Sequence, residues 1–517
     1  MYNMQILDCT LRDGGYYTDW NFSKNLIDNY LKTVSKLPIS IVELGYLSNQ
    51  EDFNGQFYHL NKELLQKAKL ILRRDQKVFA MINFKEINNK KDLEKLIKNK
   101  TKYLDGVRFA VAPKDINKIV GILNPLIKKY KKKLTFNINL MYLSKWIEDD
   151  KFIKKTLSLL DTKINVVSFV DSYGALMPNK IEKFLKKVKK IPVKKLKFGC
   201  HFHNNCGLAL ANTISANNSG CEIVDSTFRG MGRGAGNAET ELLLATQENK
   251  RNRISGFDLN NLLEVFEELK IDMKWGSSFA YAFAATNGFS QSEMMNLMQK
   301  RRLDPGTAVK AITNSLNKEK NIKFKNLNNL SKLSRDKLNS PIIIGGSPSF
   351  LDYGEYFFEK ISKKAPIILS GSRALFNYLK LELVIKNPII LILSGSEIKK
   401  ISFIKDKKIF KKINLYGIIA EEDFLPDNIN FDNKIKIVKS NSIALNPLLL
   451  FGKACLNRNI KKIFLAFFDG NPENEKGRIV MKETQESVDE LFKKGLKIFT
   501  YTKSFLKLKQ KNPWLDD

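Results

Sequence analysis

Histidine is the scarcest chemically versatile residue in this 517-residue chain, which contains only three. Cysteine is nearly as rare: the five cysteines are scattered and odd in number, so they indicate no disulfide framework and are typical of a reducing compartment. No apolar run approaches the roughly 20 residues that cross a bilayer, and the first residues lack the basic start and apolar stretch of a signal peptide. These absences predict a cytoplasmic protein with no membrane partner.

Acidic residues are also in short supply: 54 aspartates and glutamates stand against 87 lysines and arginines, which gives a formal net charge of +33. Such a charge can serve the binding of nucleic acid or of an anionic membrane. The lysines, however, are spread along the whole chain and are not interleaved with aromatic residues as in a stacking platform. We interpret them as solvated helix faces, which argues against a nucleic-acid partner and allows attraction of acidic metabolites.

Residues 1–230 alternate short apolar, β-branched runs with amphipathic, lysine-rich segments. Eight such units in roughly 250 residues are typical of a TIM barrel, whereas an open doubly wound sheet would more often carry a glycine-rich phosphate turn after its first strand. The sequence therefore predicts an α/β fold with a (β/α)8 barrel over residues 1–255. The candidate strands are Gln5–Cys9, Ser40–Gly45, Lys77–Ile82, Gly106–Val111, Leu134–Leu140, Asn165–Val170, Leu196–His203 and Glu222–Ser226.

Two of the three histidines, His201 and His203, lie two residues apart in the seventh candidate strand. Side chains at positions i and i+2 of a strand point to the same face, so both imidazoles can aim inward. Two imidazoles and one carboxylate form a facial site for a divalent metal ion. A carboxylate can come from the segment Leu7–Gly14, which overlaps the end of the first strand.

Polar side chains recur where the candidate strands end. In a TIM barrel the catalytic groups sit at the carboxyl ends of the strands, which form one face of the barrel. Residues from distant parts of the chain are therefore expected to converge there. They are Arg12, Asp13, Glu43, Asn139, Asp171, Ser172, His201, His203, Asp225 and Ser226.

The second half of the chain changes character twice. Residues 256–338 begin with helical periodicity, and residues 317–340, rich in lysine and asparagine, read as a linker or an exposed surface helix. Residues 339–517 read as a second, Rossmann-like α/β domain of unknown function. Gly345, Gly346 and Ser347 follow its first strand and could present backbone N–H groups to an anion. Asp469 follows a later strand, where open α/β sheets bind ligands, although a turn-capping role is also open.

The motifs together resemble the DRE-TIM metallolyase superfamily, which includes 3-hydroxy-3-methylglutaryl-CoA lyase, and within it the 4-hydroxy-2-oxovalerate aldolase branch. The resemblance covers roughly residues 4–315, with the motifs in the expected order, and does not extend to the second α/β domain. The motifs that carry it are Leu7–Gly14, Asp171–Gly174, His201–Asn205 and Gly230–Asn237.

The resemblance implies that Asp13, His201 and His203 ligate a divalent ion, commonly Mg²⁺ or Mn²⁺, with Asn237 at or near it. It also implies that Arg12 steadies the oxygen of a developing enolate, for which a fixed guanidinium is suited. The remaining implied roles concern the substrate and its surroundings. Asp171 and Ser172 match a loop that contacts the carbonyl or carboxylate end of the substrate, and Glu43 can orient Arg12 or simply pair with it.

One position departs from the aldolase pattern. The branch carries a catalytic histidine three residues after the metal-binding aspartate, and this chain has Tyr16 there. A phenol ordinarily titrates near 10, so Tyr16 would need a neighbouring positive charge to act as a base. It could instead donate a hydrogen bond to an aldehyde oxygen.

We therefore predict a metal-dependent aldolase or lyase that joins or separates a 2-oxo acid of the pyruvate type and an aldehyde, with carbohydrate or surface-polysaccharide biosynthesis as one setting. An acetyl-CoA-dependent Claisen acyltransferase is an alternative. A further alternative is a non-catalytic barrel whose second domain binds a nucleotide or sugar nucleotide. A homodimer is left open.

Overall fold

The computed structural model forms two compact units, residues 1–299 and residues 300–517, and each is considered by itself. Among the described residues, no helix combines the length and the apolar character needed to span a membrane. The predicted linker at residues 317–340 falls largely outside them. The structure describes residues 4–50, 55–161, 163–193, 195–246, 256–300, 304–316, 324–327, 340–363, 365–394, 397, 413–421, 436–440, 446–470 and 475–512.

The first unit is built on a closed barrel of eight parallel strands in sequential order, which confirms the predicted TIM barrel. Each observed strand overlaps its candidate run. The strands are β1 (Gln5–Asp8), β2 (Ile41–Tyr46), β3 (Lys77–Asn83), β4 (Gly106–Val111), β5 (Thr135–Leu140), β6 (Val166–Asp171), β7 (Lys197–Phe202) and β8 (Ile223–Ser226).

Helices surround the barrel, so its strands are buried on both faces, as parallel strands generally are. Every residue of β2 and of β6 is buried. The helices are α1 (Thr10–Asp13), α2 (Gly15–Thr18), α3 (Lys24–Lys36), α4 (Lys62–Ile71), α5 (Lys90–Ile97), α6 (Ile116–Tyr130), α7 (Leu143–Trp146), α8 (Asp150–Leu160), α9 (Pro178–Val188), α10 (Ala209–Asn218), α11 (Thr240–Thr246), α12 (Gly256–Met273), α13 (Phe279–Thr286) and α14 (Gln291–Met295). Short 3-10 turns span Phe84–Glu86, Pro113–Asp115 and Phe228–Gly230, and a π turn spans Asn296–Lys300.

The closure of the barrel between β1 and β8 is reinforced by a buried carboxylate. Asp8, at the end of β1, accepts hydrogen bonds from Tyr30 on α3 and from Thr240 at the start of α11. The Thr240 hydroxyl also contacts Ser226 Oγ on β8 at 2.7 Å. One acidic side chain thus joins the first strand, the first long helix and the last helix of the barrel.

The helices after the barrel pack against it within the first unit. Phe266 on α12 is fully buried and stacks on Phe228, with ring centroids 6.2 Å apart. Tyr281 on α13 is also buried. The predicted division of the chain at residues 255 and 338 stays a proposal about which segments fold independently.

The second unit is a mixed nine-stranded sheet in the order β17-β16-β15-β10-β11-β12-β13-β14-β9, parallel except where β9 pairs with β14. It confirms the predicted α/β architecture. Its strands are β9 (Phe324–Lys325), β10 (Ile342–Ile344), β11 (Ile367–Ser370), β12 (Ile389–Leu393), β13 (Leu415–Glu421), β14 (Lys436–Ser440), β15 (Lys462–Ala466), β16 (Lys497–Thr500) and β17 (Lys509–Gln510). Its helices are α15 (Pro305–Leu316), α16 (Ser349–Lys360), α17 (Gly371–Lys380), α18 (Pro447–Asn457) and α19 (Glu475–Lys493).

This sheet is buried on both faces, because successive side chains of a strand point to opposite sides. Ile342 and Ile344 belong to one apolar cluster and Ile343, between them, belongs to another. The unbroken isoleucine run of β10 is thus explained by helices on both sides of the sheet.

We predict that Tyr30→Phe lowers the free energy of unfolding by about 1.5–3 kcal/mol, because a buried acidic acceptor loses a hydrogen-bond donor. Tyr130→Phe is the matched control, since its hydroxyl lies 3.4 Å from Glu94 and should cost less than about 0.5 kcal/mol. Denaturant unfolding followed by tryptophan fluorescence measures both variants. Equal effects would contradict a special role for the Asp8 contact.

We also predict that residues 1–337 expressed alone form a folded barrel, because the first compact unit ends at residue 299. Circular dichroism and the same fluorescence midpoint compare this fragment with the full chain. An aggregated fragment would show either that the boundary at residue 337 is wrong or that the barrel requires the residues beyond it.

Candidate active site

Three side chains with metal-binding groups meet at the carboxyl ends of the barrel strands. Asp13 comes from α1 directly after β1, His201 from the end of β7, and His203 from the residue after β7. One potential ligand atom of each lies within 4.8 Å of the others, and all three residues are buried. The structure therefore brings together the three residues that the sequence singled out.

The two imidazoles are oriented by their Nδ1 atoms. His201 Nδ1 lies 2.9 Å from Asp225 Oδ2, and His203 Nδ1 lies 3.3 Å from the carbonyl oxygen of Gly236. Because an oxygen acceptor at Nδ1 places the proton there, Nε2 of each ring is left as the ligand atom. Burial, His201 and Arg233 hold the pKa of His203 well below its usual range, so this ring is neutral as metal binding requires.

The candidate carboxylate is ionised despite its burial. Burial alone would raise the pKa of Asp13, but the neighbouring Arg12 guanidinium, the largest opposing influence, holds that pKa well below its usual range. Its Oδ2 atom lies 3.7 Å from His201 Nε2. A charged carboxylate oxygen thus faces a free imidazole nitrogen.

Asn237 completes the cluster from the loop after β8. Its Nδ2 donates to Asp13 Oδ2, and its Oδ1 is buried with no hydrogen-bond partner among the described residues. The backbone of Asn237 also pairs with His203 in an isolated antiparallel bridge. Since the two amide ends are interchangeable by a rotation of the side chain, an amide oxygen is available beside the carboxylate. Carboxylate, imidazole and amide donors fit a divalent ion such as Mn²⁺ or Mg²⁺.

Arg12 is held tightly but retains one unused group. Its Nε donates to Glu43 Oε1 at 2.8 Å, and its Nη1 contacts Asp13 Oδ1. Its Nη2 is buried and has no hydrogen-bond partner among the described residues. A fixed guanidinium therefore offers a free N–H group next to the candidate metal ligands.

The sequence did not single out Arg108, which lies inside the barrel on β4 and is only 1% exposed. Its guanidinium donates to Glu43 Oε2 at 3.3 Å, to Asp225 Oδ2 at 2.6 Å and to Asn139 Oδ1 at 3.0 Å. Glu43 holds Arg12 and Asp225 holds His201, so Arg108 supports both. An arginine in the middle of an otherwise apolar strand is the signal that could have revealed it.

The site opens into a cavity of about 120 Å³, a size suited to a small substrate. Tyr16, on α2, lines it, with the guanidinium carbon of Arg233 5.6 Å from its ring centroid. The sequence also did not single out Tyr46 or Arg233. The residues around the cavity are Arg12, Asp13, Tyr16, Tyr46, Met81, Asn83, Phe84, Lys85, Ala110, Ala112, Asp115, Asn139, Met141, Tyr142, Val170, His201, His203 and Arg233.

Asp171 and Ser172 lie at the end of β6 but do not line this cavity. Asp171 Oδ2 accepts from the backbone N–H of Leu176, and Ser172 Oγ accepts from that of Tyr142 at 2.9 Å. Tyr142 does line the cavity. The structure thus places both side chains where they shape neighbouring loops.

The residues of the predicted second site lie together in the second unit. Gly345, Gly346 and Ser347 follow β10, Asp469 follows β15, and these two strands are neighbours where the strand order reverses. The backbone N–H of Asp469 donates to Ser347 Oγ at 3.0 Å, and its carboxylate accepts from Ser349 Oγ. The aspartate therefore stabilises its own turn, and anion binding there stays a prediction.

Comparison with known proteins concerns the barrel. A 4-hydroxy-2-oxovalerate aldolase from Carboxydothermus hydrogenoformans is 27% identical over 275 residues, 52% of this chain and 76% of the relative. An oxaloacetate decarboxylase from Mycobacterium tuberculosis is 24% identical over 283 residues, 53% of this chain and 78% of the relative.

Among solved structures, the N-terminal domain of a Bacteroides vulgatus protein provisionally described as an aldolase is 32% identical. It superposes with a TM-score of 0.53 and covers 57% of this chain and 96% of that domain. The family model described as HMGL-like matches residues 3–268, which is half of the chain. The chain therefore belongs to the HMGL-like family, which confirms its resemblance to the DRE-TIM metallolyases.

Proposed function

We propose that the barrel is a divalent-metal-dependent aldolase that makes or breaks a carbon–carbon bond next to a 2-oxo acid such as pyruvate, with an aldehyde as the second reactant. The observation that carries the proposal is the free, buried Nη2 group of Arg12 beside the cluster of Asp13, His201 and His203. A relative named 4-hydroxy-2-oxovalerate aldolase supports the same reaction class.

Asp13, His201 and His203, with Asn237 beside them, are the residues that would hold Mn²⁺ or Mg²⁺. When bound, such an ion supplies Lewis-acid polarisation of the ketone of a 2-oxo acid. The other requirements of the reaction fall to the protein's own side chains.

Arg12 would stabilise the negative charge that develops on the ketone oxygen. In condensation, the methyl group of the 2-oxo acid loses a proton, and the resulting carbon forms a bond to the aldehyde carbon, whose oxygen takes up a proton. Cleavage is the reverse. Because Glu43 and Asp13 fix the guanidinium in advance, its free N–H group can donate a hydrogen bond to this charged oxygen with little reorganisation.

Tyr16 is the proposed partner of the aldehyde oxygen. It lines the cavity, as does Tyr46, whose pKa is raised by burial and by the adjacent Tyr16. A phenol can donate a hydrogen bond to the aldehyde oxygen, and it can pass on a proton when that oxygen becomes a hydroxyl. We assign this donor role to Tyr16 in place of the histidine of the aldolase branch.

Decarboxylation is a second candidate, favoured by the relative named oxaloacetate decarboxylase. A 2-oxo acid with a carboxylate on carbon 3 that loses carbon dioxide leaves its electron pair on the same carbon that the aldolase reaction uses. Arg12 would then stabilise the same oxygen. For the aldolase reaction, one setting is carbohydrate or surface-polysaccharide biosynthesis, where the product is an acidic sugar.

We predict that Asp13→Asn and His201→Ala each abolish binding of Mn²⁺. The loss should exceed the roughly 10- to 100-fold weakening typical when only a residue that supports a ligand is removed. Asp19→Asn, at an exposed position, and His59→Ala, at a histidine outside the cluster, are matched controls. Metal content after dialysis and titration with Mn²⁺ measure the effect, and normal binding in both ligand variants would rule out the site.

We predict that the protein with Mn²⁺ exchanges the methyl protons of pyruvate for deuterium in D₂O, and that Arg12→Ala slows this exchange by about 100-fold or more while retaining metal. Arg12→Lys tests whether charge alone suffices, and the exposed Arg74→Ala is the matched control. Nuclear magnetic resonance follows the exchange, with EDTA as the metal-free reference. Undiminished exchange in Arg12→Ala would remove its assigned role.

A further inference from the structure

Arg233 is a cation at the mouth of the barrel whose charge is not matched by a carboxylate. It lines the active-site cavity and makes no ion pair with any residue that the structure describes. Its Nε atom is buried and lacks a hydrogen-bond partner within the same residues. A buried donor normally has a hydrogen-bond partner, so leaving Arg233 Nε without one costs free energy. The cation–π contact with the Tyr16 ring offsets only part of that cost.

The loop that carries Arg233 is fixed against the candidate metal ligands. A Cβ atom on Gly232 would lie 2.2 Å from Asn237 Nδ2 and 2.9 Å from Asp13 Oδ2, so only glycine allows this approach. On the other side, the Tyr17 hydroxyl donates to the carbonyl oxygen of Gly234 at 2.7 Å. Arg233 therefore projects from a backbone that is held on both sides, which reduces the entropy lost when it binds an anion.

The other charged groups around the cavity are either paired or lie on the opposite side from Arg233. Arg12 is already paired with Glu43 and Asp13. Lys85 and Asp115 follow β3 and β4, which lie across the closed barrel from β8, the strand that leads into the Arg233 loop. Lys85 and Asp115 thus lie on one side of the cavity, and Arg233 lies on the other, near the metal ligands, with no carboxylate paired to it among the described residues.

We propose that Arg233 binds an anionic oxygen group, a carboxylate or a phosphate, on the acceptor aldehyde. This inference rests on the proposed function, in which an aldehyde is the second reactant. A guanidinium matches the planar oxygens of a carboxylate or phosphate with parallel N–H donors. The acceptor is therefore an aldehyde acid or a phosphorylated aldehyde, and Arg233 sets this specificity.

Matched pairs of aldehydes test the proposal with the full-length protein, Mn²⁺ and pyruvate. Succinic semialdehyde is compared with butyraldehyde, and glyceraldehyde 3-phosphate with glyceraldehyde, so that each pair differs mainly in the anionic group. We expect kcat/KM to favour the anionic member of at least one pair by about 10-fold or more. The pair with the larger ratio distinguishes a carboxylate from a phosphate.

Arg233→Gln should reduce that preference by about 10- to 100-fold, the effect of losing a charge-assisted hydrogen bond, and Arg233→Lys should retain part of it. Lys85→Gln is the charge-matched control from the opposite side. An equal loss of preference in Lys85→Gln would assign the selectivity to the overall field of the cavity and overturn the proposal. A raised KM for pyruvate with unchanged aldehyde preference would overturn it too, because Arg233 would then bind the 2-oxo acid.

The deuterium exchange of pyruvate separates failure of this inference from failure of the proposed function. Exchange without any preference for anionic aldehydes would overturn the role of Arg233 and leave the proposed function intact. If the protein catalyses neither exchange nor condensation, the proposed function fails, and calorimetric titration with sulfate then decides the anion site. Sulfate binding that is equally strong in the wild type and in Arg233→Gln would overturn the anion site at Arg233. Sulfate binding that is weakened in Arg233→Gln but not in Lys85→Gln would support that site.

Discussion

The guanidinium group of Arg108 is the contact on which the candidate active site depends. It is buried inside the barrel and donates to Glu43 and Asp225, each of which is fully buried. Removing such charges from water is costly, and only their mutual contacts offset the cost. A buried ionic cluster is therefore weak evidence for stability. Its value here is that two carboxylates from different strands are fixed in position, and each presents an oxygen to a residue of the site.

Charges of alternating sign connect the interior of the barrel with its mouth. One carboxylate oxygen of Glu43 accepts a hydrogen bond from Arg108 and the other accepts one from Arg12. Asp225 Oδ2 accepts hydrogen bonds from both Arg108 and His201. The free group of Arg12 and the free nitrogen of His201 consequently depend on the same buried cation. Groups that share partners in this way have non-additive effects. The site is better regarded as one electrostatic unit than as ligands next to an independent arginine.

Much of this could be predicted from the sequence because the governing patterns are local. Apolar runs fixed the strands, and their order placed Asp13, His201 and His203 at one end of the barrel. Arg108 and Arg233 were not predicted, because their roles depend on the folded chain. Folding brings Glu43 and Asp225 to Arg108, and it buries the Nε atom of Arg233 without a hydrogen-bond partner among the described residues. For Asp171 and Ser172, the path of the following loop directs Asp171 Oδ2 and Ser172 Oγ to backbone groups, and their contact with a substrate stays a prediction. In the second unit, the alternating burial of Ile342–Ile344 explains why the sheet could be predicted from the sequence, whereas an anion site there stays a prediction.

His203 lies beyond the last residue of β7, and a single antiparallel bridge joins its backbone to that of Asn237. The segment carrying Asn237 and Arg233 is therefore attached to the end of β7. Each of the two joined segments carries a metal-binding group, His203 on one and Asn237 on the other. An ion bound by both His203 and Asn237 binds more tightly when the two backbone segments are held together. By thermodynamic reciprocity, the bound ion also stabilises their contact. Metal occupancy and the position of the segment that carries Arg233 are thus linked equilibria. Because the close approach of Gly232 and the Tyr17–Gly234 hydrogen bond already hold this segment, an ion can bind with little rearrangement, and the residue proposed to select the aldehyde is in position before the ion arrives.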